Sequence, residues 1–177
     1  STGSSRCGTA GGARAGAVEL VDDGTTSPDD RLGALRDLQL AWDRAKGQEV
    51  LVIGTDNIFT WSLPSFVACA QAKRPAATIA TWKVPALRDA GLYGVVEANR
   101  RGRIMRCVEK PARPRSRAIA LCVYYFPAPI RRLLDQCVRE TGGADAPGHF
   151  ISWLVMREPV YAFPARGRWF DIGSQES

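Results

Sequence analysis

The stretch LVIGTDNIF, at positions 51–59, contains the residues whose types and spacing most clearly suggest chemistry. An apolar run stops at Asp56 and Asn57 and then becomes apolar again. A carboxylate at the end of a buried strand of an α/β sheet lies where such sheets bind ligands. An Asp-Asn pair is also common in turns, so a simple turn cap is the alternative. The residues of this stretch alone leave both interpretations open.

Charged residues also lie near the ends of two later predicted strands. Glu109 and Lys110 directly precede Pro111, which favours a strand end at that point. They could contact a ligand, or they could form an exposed pair that contributes little to stability. Asp171 lies in the closing segment WFDIGSQES. His149, the single histidine, follows Pro147 and Gly148, and this context predicts a helix-start or packing residue rather than an acid-base catalyst.

The elements around Asp56 predict an α/β fold. Residues 49–53 read as a strand with apolar residues on both faces, typical of a central parallel strand covered by helices on either side. A helix begins at Ser62, and a strand follows at 76–81. This alternation predicts a Rossmann-like three-layer α/β/α structure with a mostly parallel mixed sheet, in which ligands bind outside the carboxyl ends of the strands.

The amino-terminal region is less regular. Residues 1–16 are small and rich in glycine, which predicts a disordered leader before one domain at 17–177. Residues 17–21 read as a short strand and 22–26 as a polar loop. Ser27-Pro28-Asp29-Asp30 has the features of a helix start, and Gly47 offers a stop. The predicted helix has a mostly apolar face formed by Leu32, Leu35, Gln39 and Trp42 and flanked by Leu38.

The second half of the chain reads as shorter elements. Residues 93–111 predict two strands around a turn at 99–102. Further strands are predicted at 118–126, 159–163 and 168–171, and helices at 130–139 and 150–156.

Composition limits the classes of function. The 177 residues are 45% hydrophobic, enough for one core, and the net charge of +6 suits phosphorylated ligands or nucleic acid without selecting either. Five cysteines with no C-x-x-C pair support neither a disulfide framework nor a zinc site, so a reducing, cytoplasmic location is expected. No apolar run is long enough for a membrane span.

Four segments in order resemble one enzyme family. LVIGTDNIF, YGVVE, VEKP and WFDIGSQES resemble the sugar-phosphate nucleotidyltransferases, or nucleotide-sugar pyrophosphorylases, of the glucose-1-phosphate thymidylyltransferase type. DGTTSPDDRLGAL and GHFISWLV look like the branch of this family found in bacteria and archaea. The resemblance covers about residues 17–177 and implies transfer of a nucleotidyl group from a nucleoside triphosphate to a sugar 1-phosphate, with release of pyrophosphate.

The resemblance also implies roles for individual residues. Asp56 and Asp171 would together hold Mg²⁺ against the phosphates. Glu109 would accept hydrogen bonds from sugar hydroxyls, and Lys110 would neutralise the sugar phosphate. Tyr93 and Gly94 would lie near the sugar, because glycine permits a close approach. The segment from Asp23 to Gly33 would contact the base.

One family element is missing from the sequence. The family's amino-terminal phosphate loop, G-G-x-G-T-R-L, has no counterpart, and TAGGARAGA at 9–17 matches it only by chance. The domain is therefore expected to be partial and truncated at its amino terminus. Such a chain is expected to turn over slowly, because the loop would supply backbone N–H donors to the triphosphate.

Three hypotheses of function follow. The first is the nucleotidyltransferase, and the second is an inactive or partial homologue that keeps only the sugar-phosphate side of the site. A basic nucleic-acid-binding module is the third, but aromatic stacking clusters are absent from its basic strands, so no nucleic acid is expected as a partner. An unpaired sheet edge makes a homo-oligomer possible.

Overall fold

A six-stranded mixed sheet forms the centre of the fold in the computed structural model, which describes residues 18–143 and 146–173. The predicted leader at 1–16 lies outside the described residues. The six strands of the sheet are β1 (Val50–Ile53), β3 (Ala77–Lys83), β4 (Gly94–Ala98), β5 (Ile104–Glu109), β6 (Ala118–Phe126) and β7 (Val160–Pro164). Two further strands, β2 (Asn57–Phe59) and β8 (Trp169–Asp171), pair with each other as a separate ribbon.

Within the described residues, four α-helices flank the sheet: α1 (Ala34–Arg44), α2 (Leu63–Gln71), α3 (Arg131–Thr141) and α4 (Pro147–Val155). Short 3₁₀ helices occur at Pro28–Asp30, Arg88–Leu92 and Ala128–Ile130. The hairpin around 99–102 and the strand at 118–126 are confirmed, and α4 begins three residues before its predicted start. Strand β2 was not predicted, because three residues are too few to show periodicity.

The sheet follows the order β5-β4-β6-β3-β7, and β1 pairs with β6 beyond the end of β4. Strand directions correct one expectation. In the part of the chain that the structure describes, β3 and β7 run parallel, while the other pairs are antiparallel. The mixed α/β class is confirmed, but the expected parallel majority is wrong for these residues, because periodicity does not reveal strand direction.

Two core clusters on opposite faces of the sheet confirm the three layers. Strand β6 alternates between them, with Val123 and Tyr125 facing α2 and with Tyr124 and Phe126 facing α1, α3 and α4. The Trp42 ring of α1 stacks on Phe126 at 5.7 Å between ring centroids. The long apolar strand β6 therefore joins both halves of the core.

Strand β1 differs from the predicted central strand. It pairs antiparallel with β6, and no second partner occurs among the described residues. Its burial alternates, because Val50 and Val52 pack on the core whereas Leu51 and Ile53 remain 37% and 39% exposed. The predicted strand at 17–21 is also wrong for its described part, since residues 18–21 are irregular and Leu20 is 83% exposed.

The predicted helix start at Ser27 produces only a 3₁₀ turn. Ser27 and Asp30 form the reciprocal bonds of a capping box, but the chain then breaks at 31–33. Gly33 has a φ of 86°, which favours glycine, and α1 starts directly after it. The helix ends at Arg44, three residues before Gly47, whose φ is 71°.

Two expectations from composition can be compared with the described residues. The cysteines there, Cys69, Cys107, Cys122 and Cys137, are all free, while Cys7 lies outside the described part. None of the described helices has the length and apolar character needed to cross a membrane.

Candidate functional site

A cleft of about 220 Å³ opens at the ends of strands β1, β4, β5 and β8. Six of the predicted site residues line it: Asp56, Tyr93, Gly94, Glu109, Lys110 and Asp171. The first turn of α4 forms another wall, and residues of β6 also contribute. The cleft therefore collects residues that lie up to 115 positions apart along the chain, from Asp56 to Asp171.

The ribbon of β2 and β8 brings the two aspartates together. Asn57 is paired with Asp171, and the Ile172 N–H donates to the Asp56 carbonyl at 2.9 Å. A Cβ atom placed on Gly173 would lie 2.9 Å from Asp56 Oδ2 and 3.3 Å from Asp171 Oδ1. The two carboxylates thus approach one point beside Gly173, and this oxygen pair fits the ligand chemistry of Mg²⁺. No group of three or more metal-binding side chains occurs in the described ranges.

Asn57 connects Asp56 to an aromatic residue. The Trp169 indole N–H donates to Asn57 Oδ1 at 2.8 Å, and Asn57 Nδ2 donates to Asp56 Oδ1 at 2.6 Å. The Tyr93 ring meets Trp169 edge to face, with 5.4 Å between centroids. Because the indole can only donate, it fixes the amide orientation that presents Nδ2 to Asp56.

Glu109 and Lys110 face the same cleft although they are adjacent in sequence. Strand β5 ends at Glu109, and Lys110 has a left-handed φ of 41°. The Lys110 N–H still donates to the Tyr93 carbonyl at 3.1 Å. A regular strand would point the two side chains to opposite faces, so the left-handed residue is what allows both to line the cleft.

Glu109 lies against two glycines. A Cβ on Gly94, its neighbour across the strand pair, would be 3.0 Å from Glu109 Oε2. A Cβ on Gly148, in the first turn of α4, would be 3.1 Å from Glu109 Cδ and still closer to Oε2. The space expected at Gly94 for a ligand is therefore taken up, in part, by the Glu109 carboxylate.

The floor and side of the cleft carry groups that stay protonated. Burial, followed by the nearby charges of Asp171 and Asp89, raises the pKa of Tyr93. Burial also raises the pKa of the Cys122 thiol, and it holds the pKa of the fully buried Tyr124 well above 10.0. These groups are neutral near pH 7, so Tyr93 can donate a hydrogen bond there.

Asp23 and Gly33 do not belong to the residues that line this cleft. Asp23 accepts from the Thr25 N–H at 2.9 Å and from its hydroxyl at 2.6 Å, and these bonds lower the pKa of Asp23, the hydroxyl contributing most. Gly33 precedes α1. Their assignment to base binding stays a prediction.

Sequence reasoning missed several residues of the site. Asn57 and Gly148 lie within the segments that carry the resemblance, but no role was assigned to them. Trp169 is half-buried against the core, and its indole also donates to Asn57, a contact that sequence reasoning did not indicate. His149 lies in the first turn of α4, as expected, but it is exposed and does not pack.

A family pattern and a curated relative match the sequence of this chain. The sequence pattern of the family described as nucleotidyl transferase matches residues 10–177. A glucose-1-phosphate adenylyltransferase of Thermosipho africanus (strain TCF52B) is 28% identical over 127 residues, which make up 71% of this chain and 31% of that protein. The chain therefore spans about a third of the length of this curated relative.

Solved structures show the same fold. A putative glucose-1-phosphate thymidylyltransferase from Bacillus anthracis, in complex with a sucrose, superimposes with a TM-score of 0.71 at 21% identity, covering 81% of this chain and 56% of that one. An apo UDP-glucose pyrophosphorylase gives a TM-score of 0.69 at 20% identity, covering 83% and 57%.

Proposed function

The chain belongs to the nucleotidyl transferase family, and on that premise we propose that it transfers a nucleotidyl group from a nucleoside triphosphate to a sugar 1-phosphate. The products would be a nucleotide sugar and pyrophosphate. The observation that carries the proposal is the meeting of Asp56, Asp171, Glu109, Lys110 and Tyr93 in one cleft. A lysine can neutralise a sugar phosphate, and carboxylates and a hydroxyl can form hydrogen bonds with sugar hydroxyls.

In this reaction an oxygen of the sugar phosphate attacks the α-phosphorus of the triphosphate. A new P–O bond forms there, and the bond from the α-phosphorus to the oxygen bridging to the β-phosphate breaks, so that pyrophosphate leaves with the electron pair. Such transfers depend mainly on positioning and on neutralising the charge of the phosphates.

Five residues of the cleft and one segment outside it have proposed tasks. Lys110 neutralises the sugar phosphate as a point charge, and Glu109 accepts hydrogen bonds from sugar hydroxyls. Tyr93 donates from its protonated hydroxyl. Asp56 and Asp171 would hold Mg²⁺, which neutralises phosphate charge when it is bound. The segment from Asp23 to Gly33 is proposed to contact the base.

Cellular location follows from the substrates and the cysteines. The reaction would consume nucleoside triphosphates, which are made inside cells, and the free cysteines of the described part fit a reducing compartment. We therefore place the proposed reaction in the cytoplasm.

Pyrophosphate release by the purified chain tests the proposal. The assay combines Mg²⁺ with a panel of nucleoside triphosphates and sugar 1-phosphates. We expect slow, Mg²⁺-dependent release that falls about 100-fold or more in Asp56→Asn and in Asp171→Asn. Asp43→Asn is the matched control, because this exposed carboxylate on α1 pairs with Arg131 outside the cleft.

Calorimetric binding of glucose 1-phosphate separates the proposal from the partial-homologue alternative. Binding that needs Lys110 and Glu109, without pyrophosphate release from any pair of substrates, would favour a homologue that keeps only the sugar-phosphate side. Neither binding nor release with any sugar 1-phosphate of the panel would contradict both.

A further inference from the structure

The carboxylate of Glu109 is enclosed by two glycines from different elements. Gly94 begins β4, and Gly148 is the second residue of α4. A Cβ atom on either glycine would lie inside van der Waals distance of the same oxygen, Glu109 Oε2. The contact from a Cβ atom on Gly148 would be the shorter of the two. A side chain at position 148 would therefore occupy space that the carboxylate now fills.

The backbone at Gly148 gives no reason for glycine. The described glycines with left-handed φ values do not include Gly148, which lies buried in a helix. Glycine is among the poorest residues in a helix, and alanine is the best. The Glu109 carboxylate occupies the space beside the Gly148 Cα. This carboxylate therefore explains why position 148 is a glycine, which the helical backbone does not explain.

We propose that Gly148 is a positioning residue, which keeps the Glu109 carboxylate against the amino end of helix α4. The proposal rests on the proposed function, in which this carboxylate accepts hydrogen bonds from sugar hydroxyls. The partial positive charge at a helix amino terminus favours a carboxylate at this place. A methyl group at 148 would push the flexible end of Glu109 out of this place, and the acceptor would be displaced while the fold is kept.

The first measurement is the ¹³C NMR signal of the Glu109 carboxyl carbon, assigned by its loss in Glu109→Ala. We expect the signal to shift in Gly148→Ala, while the thermal midpoint of unfolding stays the same or rises. An unchanged signal would overturn the proposal. This measurement needs no ligand, so it judges the proposal even if the proposed function fails.

The second measurement is a double-mutant cycle on the affinity for glucose 1-phosphate. We expect about tenfold weaker binding in Gly148→Ala, because a hydrogen bond to a charged group is lost. In the Glu109→Ala background, Gly148→Ala should cause no further loss, since no carboxylate remains to be displaced. Losses that multiply instead would show that Gly148 acts independently of Glu109 and would overturn the proposal.

Gly94→Ala is the second variant, should Gly148→Ala fail to fold. It addresses the same oxygen from β4, and we expect a smaller shift of the Glu109 signal and a smaller loss of affinity. If Gly94→Ala leaves the signal unchanged, the enclosure of the carboxylate by the two glycines is contradicted. If glucose 1-phosphate does not bind the parent chain, the proposed function fails for this sugar, and the NMR result alone decides about Gly148.

Discussion

The indole Nε1 of Trp169 donates a hydrogen bond of 2.8 Å to Oδ1 of Asn57. The two residues lie on opposite strands of the β2–β8 ribbon, in which Asn57 is paired with Asp171 and Trp169 with Phe59. One short ribbon thus fixes both the Asn57 amide and the two carboxylates that flank it.

Trp169→Phe is expected to weaken the proposed Mg²⁺ site. The phenyl ring keeps the aromatic packing but cannot donate to Asn57, so the amide is free to rotate away from Asp56. Loss of a partner bonded directly to a metal ligand typically costs about 10-fold to 100-fold in metal affinity. Trp169 acts one hydrogen bond further out, through Asn57, so we expect a loss of about tenfold at most. The measurement is the Mg²⁺ concentration that gives half-maximal pyrophosphate release.

Trp153→Phe is the control for that experiment. The Trp153 indole donates to Glu140 at 2.8 Å, on the side of α4 outside the cleft. The Mg²⁺ dependence of pyrophosphate release in Trp153→Phe should equal that of the parent chain. Equal Mg²⁺ dependence in Trp169→Phe would show that the Asn57 amide does not need the indole.

Lys110→Gly is expected to separate stability from binding. The left-handed φ of 41° is unfavourable for a residue with a Cβ atom, and glycine removes that cost. Glycine also gains freedom in the unfolded chain, so we expect the free energy of unfolding to stay unchanged or to rise by up to about 1 kcal/mol. Binding of glucose 1-phosphate should fall about tenfold or more, because the ammonium group is lost.

Lys46→Gly is the matched variant for this prediction. Lys46 also has a left-handed φ, of 52°, but it follows α1 and does not line the cleft. Urea unfolding should give similar changes for both variants, while calorimetry should find an effect on binding only for Lys110→Gly. Strong destabilisation in Lys110→Gly alone would mean that the Lys110 side chain is needed for folding.

The stability of the chain is expected to fall at alkaline pH. Burial raises the pKa of the Cys107 thiol from 9.0 to about 11. Below about pH 9 the thiol is protonated in both states, and its contribution to stability is complete. As the pH rises from 9 towards 11, the unfolded thiol ionises first, so the free energy of unfolding decreases, by up to about 1.4 kcal/mol per pH unit for this group.

Cys107→Ala and Cys107→Ser both remove this titrating group. Urea unfolding at several pH values between about 8 and 10.5 should show a shallower alkaline decline in both variants than in the parent. Burial raises the pKa values of Cys122, Cys137 and Tyr124 in the same direction, so part of the decline should persist. A slope identical to that of the parent would contradict the burial effect on Cys107.

Strand β1 is expected to mediate self-association. Its outer edge has no strand partner among the described residues, and it exposes Leu51 and Ile53 without a charged side chain between them. Such an edge can pair with a strand of another chain. Sedimentation equilibrium should detect association in the parent and a weaker association in Ile53→Lys.

Met156→Lys serves as the control for the edge prediction. Met156 is 77% exposed just after α4, so its substitution adds the same charge at an apolar surface position away from β1. In sedimentation equilibrium, Met156→Lys should self-associate as strongly as the parent chain. A parent chain that stays monomeric throughout the concentration range would contradict the prediction.

Several features were determined by the sequence itself. The long apolar run at 118–126 forms a strand with those same bounds, and the turn at 99–102 joins two paired strands. Ser27 caps the turn that begins at the predicted helix start, where the structure also shows a reciprocal bond from Asp30. These features depend on neighbouring residues, since periodicity and turn chemistry act over a few positions. The cleft residues Glu109 and Asp171 were found because their segments resemble a family.

Only the tertiary structure decided which strands pair and which side chains contact each other. The run at 50–53 is apolar, yet only its pairing with β6 shows that it is antiparallel and exposed on one face. Nothing near Trp169 in sequence indicates a bond to Asn57, 112 positions away. Likewise, Gly148 reads as a weak helix residue until the Glu109 carboxylate is placed beside it. The physical reason is that strand direction, hydrogen-bond partners and steric room depend on residues distant in sequence, which local pattern does not encode.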